Sequence, residues 1–276
     1  MNNQTTLQMP QIIYGTAWKK ERTAELVVQA IQAGFRGIDT ACQPKHYRED
    51  GVGEALRRVK KFGIERESLY IQTKFTPLGG QDPNNTPYDK SAPLKEQVEQ
   101  SFEATKRNLQ SSYVDALILH SPLFPFSDLL VVWQAMQDIY KRGEALRLGI
   151  SNCYDVNVLK KLYETSDITP SIVQNRFYNE TSYDKELREF CREKNIAYQS
   201  FWSLTANPFL LAHQSVRAIA QKYAKSPEEI FFRFLTQIGI TPLSGTTSQL
   251  HMEQDIAIFA FELTNDEIMN IERLLN

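Results

Sequence analysis

Short apolar runs alternate with longer amphipathic stretches along almost the whole chain. "IIYG" (12–15) precedes "ERTAELVVQAIQAG", where apolar residues return every three or four positions, the period of a helix with one buried face. The pairing recurs with "FRGID" (35–39) before "GVGEALRRVKKFG", "LYIQTKF" (69–75) before "PLKEQVEQSFEATKRNL", and "VDALILH" (114–120) before "LLVVWQAMQDIYKRG". It continues with "ALRLGIS" (145–151) before "VNVLKKLYET" and "SIVQNR" (171–176) before "DKELREFCREKN". "IAYQSF" (196–201) leads to "SVRAIAQKYAK" and "SPEEIFFRFLTQIG", and "ITPLSG" (240–245) leads to "QLHMEQDIAIF". Eight strand–helix units in about 250 residues predict an α/β fold, a (β/α)8 TIM barrel, as a single domain over 1–276. A last helix, "NDEIMNIERLLN", is additional. A doubly wound open sheet fits less well, because the first strand is not followed by GxGxxG. The one long polar loop, "TPLGGQDPNNTPYDKSAP" (76–93), reads as a rim loop rather than a linker.

A barrel of this kind carries its site at the C-terminal ends of the strands. Those ends hold Asp39, Lys74, His120, Ser151 with Asn152, and Gln174. Each has a structural alternative: a loop-ordering aspartate, a solvent-seeking or structurally paired lysine, a core histidine. The fold brings them to one rim, which favours the set over its members. Tyr47 lies eight residues after Asp39, in a loop over the same rim. A packed aromatic is its structural alternative; a general acid is the functional one. A phenol titrates near pH 10, and a neighbouring cation such as Lys74 is expected to lower that value. Asp39 would hold Lys74 charged, and His120 would hydrogen-bond the substrate oxygen or the tyrosine hydroxyl. Such a site protonates a carbonyl oxygen as hydride reaches its carbon, so a hydride-carrying cofactor is required.

Composition narrows the partners. The chain has 276 residues and a formal net charge of -2, so no basic excess points to nucleic acid or an anionic membrane. No apolar run approaches the roughly 20 residues of a membrane span. "MNNQTTLQMP" has neither a cationic nor an apolar signal region. Cys42, Cys153 and Cys191 are widely spaced and lack CxxC, which reads as reduced thiols in a cytoplasmic protein with no zinc site. A metal-dependent hydrolase would want several histidines on strand ends, and only His120 is on one.

The motifs "GFRGIDTA", "HYREDGVGEAL", "IQTKF", "VDALILHSP", "LRLGISN", "PSIVQNRFYN" and "TPLSGTT" together closely resemble the aldo-keto reductase family over nearly the whole chain. The spacing "DTACQPKHY" is longer than the family's commonest form and resembles the subgroup of fungal arabinose dehydrogenase and related carbonyl reductases. The resemblance implies a catalytic tetrad of Asp39, Tyr47, Lys74 and His120, with Tyr47 the proton donor in reduction. It implies that Ser151, Asn152 and Gln174 hold the nicotinamide carboxamide and that Phe201 stacks on the ring in place of the usual tyrosine. Gly15, Thr16, Trp202, Leu204, Leu243, Ser244, Gly245, Thr246, Thr247, His251, Gln254 and Asp255 match further cofactor positions. Trp18 and Trp202, with Tyr47 and His120, are candidates for the substrate pocket.

The resemblance also has departures. Leu243 stands where NADP-preferring members usually carry a lysine, His251 falls near their arginine, and Asp255 near an adenine-binding asparagine. The charge-assisted clamp for a 2′-phosphate is weakened, so the cofactor is NADP(H) or NAD(H), with NAD expected to be usable and no metal required. An open aromatic pocket is expected, with Trp18, Phe75, Phe124, Phe126 and Trp202 as its candidate walls. The leading function is reduction of an aldehyde or ketone to an alcohol. The alternatives are an NAD-dependent aldose dehydrogenase and a non-catalytic cofactor-binding regulatory subunit. The expected partner is a small carbonyl or alcohol substrate, the expected form a monomer. Glu49 and Asp50 read as first-turn acids that suit a helix dipole, and His46 has no family role. Cys42 and Cys153 lie beside site segments, where burial would leave them inert.

Overall fold

The computed structural model describes residues 7–275. Residues 1–6, where the N-terminal stretch without signal character begins, and Asn276 lie outside the described residues. Eight parallel strands close into a barrel: β1 (Ile13–Gly15), β2 (Gly37–Asp39), β3 (Tyr70–Phe75), β4 (Ala116–Leu119), β5 (Leu148–Ser151), β6 (Ile172–Arg176), β7 (Ala197–Phe201) and β8 (Ile240–Ser244). They pair in chain order and β8 returns to β1, with Ile13 opposite Leu243. Every short apolar run thus contains one strand, the expected (β/α)8 barrel. His120 lies one residue beyond β4, and its N–H donates to the Phe75 carbonyl at 2.9 Å.

The first six helices are α1 (Thr23–Ala33), α2 (Glu49–Lys60), α3 (Leu94–Leu109), α4 (Phe126–Lys141), α5 (Val156–Thr165) and α6 (Lys185–Glu193). Between β7 and β8 come α7 (Pro208–Ala212), α8 (Gln214–Tyr223) and α9 (Pro227–Gln237); α10 (Gln249–Ala257) and α11 (Asn265–Glu272) complete the chain. Ser226 and Glu229 form a reciprocal capping box at the start of α9, which fixes where the chain turns back toward β8. The main core fills the layer between strands and helices, where Val27, Leu117, Trp133, Ile150 and Phe234 are buried. A second cluster fills the barrel floor: Ile13, Tyr70, Ala116, Ile118 and Ile172, closed from below by Leu7 and Met9.

Because side chains alternate along a strand, positions two apart stack up the bore. Above Tyr70 on β3 comes Gln72, then Lys74; above Ile172 on β6 comes Gln174, then Arg176; above Ala197 on β7 comes Gln199, then Phe201. The middle layer is amide-rich. Gln72 and Gln199 donate to each other at 2.8 Å, and Gln174 donates to Gln199 at 2.8 Å and to Asp39 at 3.0 Å. Buried polar groups are tolerated when paired in this way.

Glu49 departs from the reading of a first-turn acid beside solvent. It is buried, and its carboxylate accepts from Thr73 at 2.5 Å, Thr105 at 3.1 Å and Asn108 at 3.1 Å. Burial raises its pKa. The reason is that α2 lies against both β3 and α3, so its first residue points inward. Asp50 is exposed and pairs with Arg48 at 2.9 Å. The same contact makes Gly53 obligatory: a Cβ there would fall 2.0 Å from the Asn108 carbonyl oxygen. Gly53→Ala is expected to destabilise the barrel by about 1–3 kcal/mol or more through overpacking. A urea melt measures it, and an unchanged midpoint would contradict the close packing.

Candidate active site

Lys74 is 1% exposed, and its ammonium donates to both Asp39 oxygens at 2.6 Å and to the Thr40 carbonyl at 3.0 Å. Asp39 Oδ1 also accepts from Gln72 at 2.7 Å. Burial pulls Lys74 below the ordinary lysine value, against the opposing pull of Asp39. Tyr47 sits above this pair, with Lys74 Nζ 5.3 Å from its ring centroid. The lengthened segment before it folds as a turn: the N–H groups of His46 and Tyr47 both donate to the Gln43 carbonyl. Gln43 in turn donates to the Gly80 carbonyl at 2.6 Å, which ties that turn to the 76–93 loop.

The electrostatics correct one expectation. Burial, and then the Asp39 carboxylate, raise the Tyr47 hydroxyl above the ordinary phenol value. The net shift is upward despite the nearby Lys74, whose donors are spent on Asp39 and Thr40 and whose charge is largely matched there. The phenol is therefore held as a protonated group.

His120 faces Tyr47 edge to face, with ring centroids 6.0 Å apart. Burial, with Lys74's charge second, lowers the imidazolium pKa to about 3, so the ring is neutral at neutral pH. Its Nδ1 lies 2.7 Å from the Thr76 hydroxyl. Its carbonyl accepts from Asn152 Nδ2 at 2.9 Å. Asn152 itself adopts a left-handed backbone, φ 53°, and its Oδ1 accepts from Tyr154 at 3.2 Å.

These groups open into one cavity of about 900 Å³. It is lined by Gly15, Trp18, Asp39, Tyr47, His120, Ser151, Asn152, Gln174, Phe201, Trp202 and Leu204. Around β8 and α10 the lining continues with Leu243, Ser244, Gly245, Thr246, His251, Gln254 and Asp255. Three anticipated residues do not line it. Thr16 is buried, its hydroxyl donating to the Asp39 carbonyl at 2.9 Å; Lys74 lies beneath Tyr47; Thr247 is exposed outside the lining.

The aromatic wall also needs correction. Phe75 points into the outer core against Tyr88, with centroids 5.7 Å apart, Phe124 is exposed beyond the lining, and Phe126 packs on the outer core. Phe75 is displaced for a simple reason: it neighbours Lys74, so the alternation turns it outward. Trp18 and Trp202 remain on the wall. His46 stacks on Trp18, with centroids 3.8 Å apart, so it belongs to the wall as well.

Five further residues contribute that the strand-end pattern does not single out. Lys19 lines the cavity and its ammonium donates to the Gly245 carbonyl. Arg176 lines it with its guanidinium over the Trp202 ring, 4.2 Å from the centroid, and makes no ion pair among the described residues. Thr76 braces His120, and Gln72 and Gln199 support Asp39. Arg176, Gln72 and Gln199 follow from the period-two alternation, two positions from Gln174, Lys74 and Phe201, whereas Lys19 and Thr76 depend on how the loops close.

The donor set suits a nicotinamide dinucleotide. Gln174 spends its amide N–H groups on Asp39 and Gln199, which leaves its carbonyl oxygen toward the cavity without a donor among the described residues. Phe201 offers a flat face beside it. Lys19 and Arg176 are the lysine and arginine of the lining, matching in number the two charges of a diphosphate. At the β8–α10 end the lining carries Glu228, Glu229 and Asp255, and its one cation among the described residues is Lys19, held on the Gly245 carbonyl.

The aldo/keto reductase family model matches residues 11–276. An oxidoreductase of Bacillus subtilis, YtbE, is 30% identical over 274 residues, covering 97% of this chain and 90% of its own. Glyoxal reductase of the same organism is 29% identical over 251 residues, covering 91% and 82% respectively. The crystal structure of a Bombyx mori aldo-keto reductase in complex with NADP superposes with a TM-score of 0.80 at 26% identity, covering 96% of this chain and 89% of that one.

Proposed function

Because the chain belongs to the aldo/keto reductase family, and is an NAD(P)H-dependent enzyme for carbonyl reduction, we propose that Tyr47 is its proton donor and that Asp39, Lys74 and His120 complete the catalytic group. The supporting observation is the Lys74–Asp39 ion pair, 2.6 Å across and fully buried beneath Tyr47 at the cavity floor. The bound dinucleotide supplies the hydride. Tyr47 carries its proton at neutral pH and gives it to the oxygen of the reduced carbonyl. Neutral His120 donates a hydrogen bond to that oxygen and orients the substrate. Lys74 lies under the ring as a fixed positive charge that stabilises the phenolate left behind, and Asp39 fixes its position. Ser151, Asn152 and Gln174 hold the carboxamide, Phe201 supports the ring, and Lys19 and Arg176 face the diphosphate. Trp18, His46 and Trp202 form the aromatic part of the substrate wall.

The Tyr47 hydroxyl, held protonated, is the form from which reduction starts, and oxidation of an alcohol or aldose starts from its phenolate. Likeness to the arabinose dehydrogenase subgroup rests on the "DTACQPKHY" spacing alone. We further propose a single-domain monomer, since one closed barrel accounts for all eight strands. Three buried free thiols suit a reducing cytoplasm. Oxidation of NADH and NADPH over a panel of aldehydes, ketones and sugars tests the function. Failure to turn over any carbonyl with either cofactor would refute it.

The acidic β8–α10 end supports NAD as a usable cofactor. Asp255 accepts from Ser244 at 2.5 Å, and burial raises its pKa to about 6. It is therefore largely ionised at neutral pH and becomes neutral as pH falls through about 6. Asp255→Asn is expected to lower the Kd for NADPH about three- to ten-fold at neutral pH, through loss of a repulsion of roughly 1 kcal/mol. NADH should change little. Fluorescence titration measures both constants, and equal shifts would place Asp255 away from the phosphate.

A further inference from the structure

We propose that Thr76 fixes which nitrogen of His120 carries the proton, and that the 76–93 loop exists to hold Thr76 in place. The inference deepens the reading of His120 as a hydrogen-bond donor to the substrate oxygen and rests on that reading. Thr76 is the first residue after β3 and is 2% exposed. Its hydroxyl lies 2.7 Å from His120 Nδ1 and has no other hydrogen-bond partner among the described residues.

A neutral imidazole has two tautomers, and each assigns this contact differently. With the proton on Nδ1, the ring donates to Thr76 Oγ1, and the buried hydroxyl proton is left without an acceptor. With the proton on Nε2, Thr76 donates to Nδ1 and both groups are satisfied. An unsatisfied buried donor is costly, so the second arrangement prevails. Nε2 has no protein partner among the described residues, and His120 lines the cavity. The ring consequently presents a donor to a carbonyl oxygen and cannot compete with Tyr47 for its proton.

The loop supplies the constraint. The Thr76 carbonyl accepts from the Tyr88 hydroxyl at 2.8 Å and from Gln81 Nε2 at 3.3 Å. Gln81 also donates to the Cys42 carbonyl at 3.0 Å, and Gln43 donates to the Gly80 carbonyl. Tyr88 and Gln81 are buried, and no residue of 77–93 lines the cavity. The segment folds back on the roots of β2 and β3 instead of covering the substrate, and it couples the Tyr47 turn to the residue that touches His120.

Nitrogen-15 NMR of ring-labelled histidine reads the tautomer directly, with His120→Gln identifying the signal. The wild-type enzyme is expected to show protonated Nε2, and Thr76→Val a mixture of tautomers. Thr76→Val should lower kcat/KM for an aldehyde about ten-fold, with the Kd for NADH unchanged, and Thr76→Ser should restore both tautomer and turnover. Protonated Nδ1 in the wild-type protein overturns the proposal, as does an unaltered tautomer in Thr76→Val. If the valine variant does not fold, the wild-type spectrum and Thr76→Ser still decide. Unchanged turnover in Tyr47→Phe would instead remove the underlying catalytic reading and leave the tautomer result standing.

Discussion

Tyr47→Phe is expected to reduce kcat for carbonyl reduction by about 10²- to 10⁴-fold, the range general acid catalysis contributes, with little change in the Kd for NADH or NADPH. The change removes one oxygen and leaves the ring that packs against Lys74 and His120. Cofactor residues on β5 to β8 do not depend on that hydroxyl, so stopped-flow turnover and fluorescence binding should separate cleanly. The pH profile of the wild-type enzyme adds a second check. Burial and Asp39 hold the phenol above its ordinary value, so reduction should stay level through neutrality and decline only at strongly alkaline pH. Oxidation of an alcohol should rise with pH over the same span, because it needs the deprotonated form. A reduction rate that falls between neutral and mildly alkaline pH would show that another group supplies the proton.

Lys74→Met should affect both turnover and stability. The ammonium is 1% exposed and donates to three oxygens, so its loss leaves Asp39 buried with only the neutral donors of Gln72 and Gln174. Removing one partner of a buried pair costs about 3–5 kcal/mol, and turnover should fall as the phenolate loses its nearest positive charge. The double variant Asp39→Asn with Lys74→Met separates the effects. Without an uncompensated carboxylate it should regain most of the lost stability in urea melts and regain none of the activity. Equal loss of stability in single and double variants would show that the lysine matters for packing rather than charge.

Strand–helix alternation exposed the barrel because a parallel sheet covered on both faces needs short apolar strands and amphipathic helices between them. Asp39, Lys74, His120 and Gln174 were legible as polar ends to those strands. Arg176 was equally legible from the alternation on β6. Thr76 and Lys19 were not, since their contacts with His120 and Gly245 depend on where two loops come to rest. A helix start ordinarily faces water, whereas Glu49 at the start of α2 turns inward to Thr73 of β3 and Thr105 and Asn108 of α3, which the sequence pattern does not disclose. The net effect on Tyr47 is hidden for a related reason: sequence shows the charge of Lys74 and withholds how its donors are engaged.

The layer formed by Gln72, Gln174 and Gln199 has a consequence for proton traffic. Carboxamides neither release nor take up protons in the physiological range, and beneath them the bore is filled by Tyr70, Ala116 and Ile172. The barrel is thereby plugged below the reacting groups. The open side of Tyr47 is therefore the cavity, the side from which substrate arrives and product leaves. On this arrangement the opening that admits the carbonyl is also the one through which the acid is reloaded.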